Sequence, residues 1–212
     1  LYRIVNFIEM KLICAGRNYA EHIEELKNNR PDSPVLFIKP DSAILPREQD
    51  FYIPEFSDSI HYEVELLVKI VKVGKHISEA FAPRYYNEVS LGIDFTARDL
   101  QDKLKAKGLP WEKAKGFDGA AVIGKWVSKD QFTDMGNLNF TLEKNGEVVQ
   151  QGNTAQMLWN TDQLIAYAST FFTLKKGDIL FTGTPAGVGK VASNDYLSGK
   201  LEGQTMFSLN VR

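Results

Sequence analysis

The chain has 212 residues, of which 43% are hydrophobic and 25% charged, and its formal net charge is -2. This composition is typical of a globular domain and excludes long disordered, collagen-like or coiled-coil segments. The balanced charge offers no general electrostatic field for nucleic acid or a membrane surface, so we expect neither as a partner. The single cysteine excludes an internal disulfide and an all-cysteine metal site, and it favours a cytoplasmic location.

The first nine residues are predicted to be an N-terminal extension, because Met10 would make a natural start ahead of the first apolar segment. Tyr2, Ile4, Val5 and Phe7 nevertheless alternate well enough for an edge strand. The extension is too short and too polar for a secretory signal. No run approaches the ~18 apolar residues of a membrane span. Residues 10–212 are therefore expected to form one domain.

Short apolar or alternating segments predict more strands than helices. The predicted strands cover residues 12–15, 34–39, 60–73, 89–95, 119–127, 138–145, 147–150, 178–182 and 205–211. The predicted helices cover residues 18–27, with Asn18 as N-cap, 98–107 and 161–172, with helical turns at 79–82 and 83–89. Asn145 and Gly146 predict a hairpin. Because most connections are hairpin-like, we expect an α+β fold built on mixed or antiparallel sheets.

Two acidic residues interrupt the longest predicted strand. Glu63 and Glu65 are separated by one residue, so their side chains project from the same face of a strand. They could lie on a solvated face, but the apolar residues that follow indicate a strand buried on both sides. Two buried carboxylates repel each other unless a cation or a proton lies between them. This pattern predicts a metal site, and all-oxygen ligation favours Mg²⁺, Mn²⁺ or Ca²⁺ over zinc.

A third carboxylate, Asp94, ends the apolar strand 89–95. It could complete the metal site, or it could simply cap the helix that follows. Arg98 and Gln101 lie one turn and nearly two turns farther along, on the side of that helix that would face Asp94. Lys115, taken alone, is best explained as a surface lysine.

His22 and Glu25 are three residues apart on a predicted helix, so they share a face. A carboxylate next to an imidazole orients the ring and raises its basicity, as a general base requires. An exposed ion pair on a charged helix is the simpler alternative. Cys14, which lies among apolar residues, is expected to be buried as a small hydrophobic residue.

The glycine-rich segment 183–189 follows a predicted strand but matches neither the dinucleotide-binding fingerprint nor the P-loop pattern. We therefore reject nucleotide binding. No nucleophilic serine motif or zinc protease motif is found in the sequence, so serine chemistry is unsupported.

Six segments of the chain occur together in a familiar order and spacing. They are GRNYAEH at 16–22, PVLFIKP at 34–40, HYEVEL at 61–66, DFTARDLQ at 94–101, GLPWEKAK at 108–115 and GTPAGVG at 183–189. With these segments the chain resembles the fumarylacetoacetate hydrolase superfamily, most closely its small acylpyruvate hydrolase and oxaloacetate decarboxylase branch. The resemblance implies that residues 10–212 form a catalytic domain with a mixed β-sheet roll and a few short helices, usually as a homodimer.

The resemblance also implies roles for individual residues. Glu63, Glu65 and Asp94 would be the ligands of one divalent ion per subunit, Mg²⁺ or Mn²⁺. His22 and Glu25 would form the dyad that activates water, with Lys115 as a further catalytic residue. The remaining positions would bind the substrate, and they are Arg17, Arg98, Gln101 and Thr184.

The activity implied by the resemblance is hydrolysis of a carbon–carbon bond in an acylpyruvate, which releases pyruvate and a carboxylic acid. The same site could decarboxylate or tautomerise oxaloacetate, because all three reactions pass through an enolate of a small 2-oxo acid. The alternative enzyme is an isomerase or decarboxylase of hydroxymuconate-type ring-cleavage products. A non-catalytic metal-binding protein is the alternative outside enzymes. The dyad of His22 and Glu25 argues against both.

Overall fold

A computed structural model describes residues 10–212 of the chain, and the predicted N-terminal extension at residues 1–9 lies outside the described residues. The strands are β1 (Leu12–Gly16), β2 (Val35–Lys39), β3 (Ile60–Tyr62), β4 (Val64–Ile70), β5 (Tyr86–Asp94), β6 (Thr96–Ala97), β7 (Ala121–Ile123), β8 (Val127–Ser128), β9 (Asn139–Lys144), β10 (Glu147–Asn153), β11 (Ile179–Phe181), β12 (Gly189–Lys190), β13 (Tyr196–Leu201) and β14 (Gln204–Asn210). The α-helices are α1 (Ala20–Glu25), α2 (Arg98–Ala106), α3 (Glu112–Lys115) and α4 (Thr161–Phe171). Short 3-10 helices cover Asp41–Ala43, Glu79–Arg84, Lys129–Gln131 and Thr154–Gln156.

The strands form three sheets. The largest has the order β2-β1-β11-β4-β5-β7, with β8 beside β5, and the smaller sheets have the orders β10-β9-β13-β14 and β12-β3-β6. In the largest sheet β1 and β11 run parallel, whereas β4 is antiparallel to both of its neighbours. Mixed sheets with a few short helices confirm the predicted α+β roll. Within residues 10–212, no helix has the length and apolar composition needed to cross a membrane.

Strand β4 lies in the middle of the largest sheet and is buried on both faces, as its apolar run predicts. Leu66 and Val68 belong to the main hydrophobic core. Leu67, on the opposite face, packs in a smaller apolar cluster that also contains Cys14 and Phe181. Cys14 is therefore buried as expected, and burial raises the pKa of its thiol. Each fully buried leucine of this kind contributes roughly 2 kcal/mol to folding.

The single strand predicted over residues 60–73 is divided at Glu63. The residues before it form β3, which pairs with β6 and β12, whereas those after it form β4, which pairs with β5 and β11. The chain thus passes from one sheet to another at the first of the two acidic residues. Hydrophobic alternation reports that a segment is extended, but it does not report which strands are its partners.

The first predicted helix begins later than expected, and Asn18 does not cap it. Helix α1 begins at Ala20, after Tyr19. The Asn18 side chain instead donates to the carbonyl oxygens of Trp159 and Thr182 at 2.9 and 2.7 Å, and it accepts a hydrogen bond from the Trp159 amide. These partners lie more than a hundred residues away in the chain, so local sequence could not identify them.

Two further segments differ from the prediction. The helical turn expected over residues 83–89 is wrong beyond Arg84, because Tyr86 begins β5. Strand β13 was missed, since Ser198, Gly199 and Lys200 interrupt its apolar pattern. A Cβ at Gly199 would lie 2.2 Å from a ring carbon of Phe207, so the glycine lets that ring lie against the strand.

Of two further predictions, one strand is shorter than expected and one hairpin is confirmed. The strand expected at 119–127 is confined to β7 and the start of β8. The hairpin at Asn145 and Gly146 is confirmed, with φ of 55° and 87° at its two positions. Positive φ at both central residues is what a tight hairpin turn requires.

Candidate active site

Three carboxylates meet where the small β12-β3-β6 sheet joins the largest sheet. Glu63 lies between β3 and β4, Glu65 lies on β4, and Asp94 ends β5. The amide of Asp94 donates to the carbonyl of Glu63 at 2.9 Å, which brings the two residues side by side. One oxygen from each carboxylate lies within 4.8 Å of the others, and all three residues are buried. The acidic residues predicted as metal ligands are therefore together.

The three carboxylates do not share their positive neighbours equally. Glu63 contacts Arg98 and lies 2.8 Å from the Lys115 ammonium, and Asp94 forms a 2.7 Å ion pair with Lys115. Although burial alone would raise it, the charges of Lys115 and Arg98 hold the pKa of Glu63 well below its usual range. Glu65 accepts a 2.7 Å hydrogen bond from the Gly183 amide and has no ion-pair partner among residues 10–212.

The environment of Glu65 favours a bound cation. Burial, followed by the negative charges of Asp94 and Glu63, raises the pKa of Glu65 well above its usual range. A divalent ion among the three carboxylates would remove this repulsion without a proton. Carboxylate oxygens are the ligands that Mg²⁺ and Mn²⁺ prefer, so the residues present fit such an ion.

Lys115, at the end of α3, is not a surface residue. Its side chain is 4% exposed, and its ammonium also donates to Thr96 Oγ1 at 2.6 Å. Burial opposes the charged form, but the carboxylates of Asp94 and Glu63 outweigh it and raise the pKa of Lys115. This lysine therefore holds a fixed positive charge beside two of the predicted metal ligands.

Lys39, at the end of β2, is a further buried cation at the site, and no role was predicted for it. Its side chain is 0% exposed, and its ammonium lies 2.7 Å from Asp94 Oδ1. It also donates to the carbonyls of Phe95, Ala120 and Lys115. One ammonium thus joins a predicted metal ligand to the backbone of the predicted catalytic lysine. A lysine followed by proline at the end of an apolar strand was the only signal available.

His22 and Glu25 form the predicted dyad on α1. His22 Nδ1 lies 3.2 Å from Glu25 Oε2, and the other oxygen of Glu25 accepts a hydrogen bond from the Gly187 amide at 3.0 Å. His22 is 5% exposed, so the alternative of a solvent-exposed pair is wrong for the histidine. Burial is the main cause that lowers the pKa of His22, and Glu63 and Glu25 oppose this effect in part.

The contact with Glu25 determines which ring nitrogen of His22 carries the proton. A carboxylate accepts hydrogen bonds, so Glu25 favours the tautomer of His22 that carries its proton on Nδ1. Nε2 then has the free lone pair. The dyad is therefore arranged to accept a proton at Nε2 while Glu25 stabilises the resulting imidazolium.

Three polar side chains predicted to bind substrate come from α2 and from the glycine-rich segment 183–189. Arg98 donates to Gln101 Oε1 at 2.6 Å within α2. Thr184 Oγ1 accepts a hydrogen bond from Gln150 Nε2 at 2.9 Å, so the hydroxyl proton of Thr184 is free to donate. Gln150 also accepts a hydrogen bond from the Val64 amide at 2.9 Å, and it therefore links the glycine-rich segment to β4.

Gln150 reaches this position because β10 contains a bulge. Val148 pairs with Glu143 but Gln150 pairs with Leu142, which leaves one extra residue between them. Regular alternation would place Val148 and Gln150 on the same face, yet Val148 is 56% exposed and Gln150 is 2% exposed. The extra residue turns the amide inward, a common use of bulges near functional sites. The predicted strand ends at residue 150, and its pattern gives no sign of this role.

One cavity collects nearly all of the predicted residues. They are Arg17, His22, Glu63, Glu65, Asp94, Arg98, Gln101, Lys115 and Thr184. Glu25 is the exception, because it is exposed to solvent and contacts His22. The cavity measures about 40 Å³, which is room for a few water molecules.

Comparison with known proteins identifies relatives along almost the whole chain. The family model described as fumarylacetoacetate (FAA) hydrolase C-terminal matches residues 11–208. The chain is 41% identical over 192 residues to the mitochondrial oxaloacetate tautomerase FAHD1 of Bos taurus, covering 91% of this chain and 87% of that protein. It is 41% identical over 204 residues to the oxaloacetate tautomerase YcgM of Escherichia coli strain K12, covering 96% and 93%.

A solved structure is similar to this chain in fold as well as in sequence. The fumarylpyruvate hydrolase from Pseudomonas aeruginosa, in complex with Mn²⁺ and pyruvate, is 33% identical with a TM-score of 0.91. The alignment covers 96% of this chain and 89% of that one. The similarity extends well beyond the residues that line the cavity.

Proposed function

Because the chain belongs to the fumarylacetoacetate hydrolase family, we propose that it is a divalent-metal-dependent enzyme that forms and protonates the enolate of a small 2-oxo acid. Keto–enol tautomerisation of oxaloacetate is the first reaction proposed, supported by the names of the curated relatives. The observation that carries the proposal is that the buried base His22 and the acidic triad line the same cavity.

The triad supplies the proposed metal site. Glu63, Glu65 and Asp94 would hold Mg²⁺ or Mn²⁺, which when bound would act as a Lewis acid and stabilise negative charge on a substrate oxygen. Lys115 adds a fixed positive charge beside the same carboxylates, where it can stabilise the developing enolate oxygen. We assign Arg98, Gln101 and Thr184 to holding the carboxylate and 2-oxo group of the substrate.

The proton transfers follow from the tautomer of His22. In the keto form of oxaloacetate, Nε2 removes a proton from C3, the C3–H electrons form the C2=C3 double bond, and the carbonyl electrons move to the C2 oxygen. Return of the proton to that oxygen gives the enol, and the reverse sequence restores the ketone. No group is lost, and His22 ends as it began.

Hydrolysis of acylpyruvates is a second proposed reaction, favoured by the support that Glu25 gives His22. Here Nε2 takes a proton from water, the resulting hydroxide attacks the distal carbonyl carbon, and the C3–C4 bond breaks. Its electrons form pyruvate enolate, which is protonated at C3, and the other product is a carboxylic acid. Decarboxylation of oxaloacetate forms the same enolate by loss of CO₂, and it needs no base to deprotonate water.

Assembly and location stay predictions. We expect a homodimer from the resemblance and a cytoplasmic location from the single cysteine, while the bovine relative is named as a mitochondrial protein. Sedimentation of the purified protein would test the first expectation.

Three parallel assays test the proposed function. They follow the loss of the ultraviolet absorbance of enol-oxaloacetate, the release of CO₂ from oxaloacetate and the release of pyruvate from acetylpyruvate. Each assay would be run with Mg²⁺ and with EDTA. We expect metal-dependent tautomerisation, with acetylpyruvate cleavage as the second activity. Failure of all three reactions in the presence of Mg²⁺ would contradict the proposal.

A further inference from the structure

Two cations at the mouth of the cavity have no acidic partner. Arg17 and Lys105 both line the cavity, and neither forms an ion pair with a carboxylate among residues 10–212. Arg98 and Lys115, by contrast, are paired with Glu63 in the interior. Unpaired positive charge that lines a pocket is suited to an anionic group of a ligand.

Lys105 is held at this position by its helix and by a neighbour. Arg98, Gln101 and Lys105 are spaced by three and four residues on α2, so they lie along one face. The Lys105 ammonium donates to Asn28 Oδ1 at 3.2 Å. Partial burial and the charges of Arg17 and Arg98 lower the pKa of Lys105, despite an opposite effect of Asp102.

Arg17 has an unusual backbone conformation. Its φ is 58°, in the left-handed region that residues other than glycine, asparagine and aspartate seldom occupy. Such strained residues concentrate at ligand-binding sites, where the surrounding structure holds them. Arg17 is half-buried at the cavity, directly between β1 and the segment that leads into α1.

The charges of the site separate into a balanced interior and a positive mouth. The carboxylates of Glu63, Glu65 and Asp94 are matched by three buried cations, namely Lys39, Arg98 and Lys115. Glu25 contacts His22 and the Gly187 amide rather than either mouth cation. A bound divalent ion and the two mouth cations therefore add surplus positive charge, which a dianion satisfies better than a monoanion.

We propose that Lys105, with Arg17 beside it, forms a second carboxylate subsite that binds the distal carboxylate of a 2-oxo dicarboxylate. The subsite selects dianions such as oxaloacetate over 2-oxo acids of equal length whose distal end is uncharged. This inference rests on the proposed function, which places the first carboxylate and the 2-oxo group at the interior end of the same cavity.

The test compares two four-carbon ligands that differ only at the distal end. Oxaloacetate carries a carboxylate where 2-oxobutyrate carries a methyl group. Equilibrium binding of each acid in the presence of Mg²⁺ would be measured for the parent, Lys105→Gln and Lys107→Gln. Lys107 is exposed just beyond the same helix, so its variant removes the same formal charge away from the cavity.

For Lys105→Gln we expect oxaloacetate to bind about tenfold or more weakly, as the loss of a charge-assisted hydrogen bond implies. Binding of 2-oxobutyrate should change less than about twofold, and Lys107→Gln should leave both affinities near those of the parent. Lys105→Arg should restore much of the preference.

Equal weakening of both ligands by Lys105→Gln would overturn the inference and make Lys105 a purely structural residue. An unchanged affinity for oxaloacetate would overturn it as well. A parent protein that binds both acids but fails all three assays of the proposed function would contradict that function alone, because the binding comparison needs no catalysis.

Discussion

At the scale of single residues, the site depends on ionisable groups whose burial changes their chemistry. His22 is the clearest case, because burial lowers its pKa below 6.5, the usual value. A buried imidazole with a depressed pKa is neutral near pH 7, the form that can accept a proton. Lys115 is the opposite case, since neighbouring carboxylates keep it charged.

The pH dependence of catalysis follows from His22. Because the base must be neutral, kcat/KM for oxaloacetate tautomerisation should be constant near pH 7 and fall as the pH drops through the lowered pKa of His22. The midpoint of this acidic limb should lie below 6.5. A rate profile at constant Mg²⁺ and ionic strength measures it. A limb centred above that value would show that another group is the base.

Lys39 should matter for stability as well as for the site. Lys39→Met leaves Asp94 without one of its cations and leaves three carbonyls without their donor. Breaking a buried pair in this way costs about 3–5 kcal/mol, which urea unfolding would measure. The matched control is Lys200→Met, whose partner Glu143 is near the surface and whose loss should cost under about 1 kcal/mol. Similar losses for the two variants would contradict this account of Lys39.

At the scale of elements, the glycine-rich segment after β11 connects the two halves of the site. The Gly183 amide donates to Glu65, and the Gly187 amide donates to Glu25. Thr184 is held between them by Gln150. A segment that matched no nucleotide-binding pattern therefore has a defined structural task, which is to align a predicted metal ligand with the predicted dyad.

A substitution at Gly183 tests whether this segment positions Glu65. Its φ is 100°, and a Cβ there would lie 2.7 Å from the Cβ of Asn18. Gly183→Ala should therefore displace the amide from Glu65, weaken Mn²⁺ binding and destabilise the fold by about 1–3 kcal/mol. Gly203→Ala is the control, because Gly203 also has positive φ but open space around it. If Gly183→Ala bound Mn²⁺ as tightly as this control, the segment would not position Glu65.

Local sequence could predict those parts of the site that sit at fixed spacing. Glu63 and Glu65 share a face because strands alternate, and His22 and Glu25 meet because helices repeat. Sequence patterns could not predict the contacts of Asn18, the inward turn of Gln150 at the bulge, or the burial of Lys39. Each of these depends on partners distant in the chain, which periodicity does not report.

At the scale of the whole molecule, the fold brings together residues from many separate elements. The carboxylates come from the junction of two sheets, the dyad from α1, and the remaining polar groups from α2, α3 and the segment after β11. Family resemblance predicts that these elements meet at one site, whereas the strand and helix patterns predict the fold class and the two pairs of residues at fixed spacing. The boundaries of individual elements differ most from their sequence-based predictions, as the division of residues 60–73 illustrates.

The most direct test of the central claim uses one substitution and two measurements on the same preparation. The claim is that His22 moves the proton while the acidic triad binds the metal. For His22→Ala we expect the metal-dependent conversion of enol-oxaloacetate to fall at least about a hundredfold, while Mn²⁺ binds as it does to the parent protein. Parent-like conversion by this variant, with Mn²⁺ bound, would contradict the account.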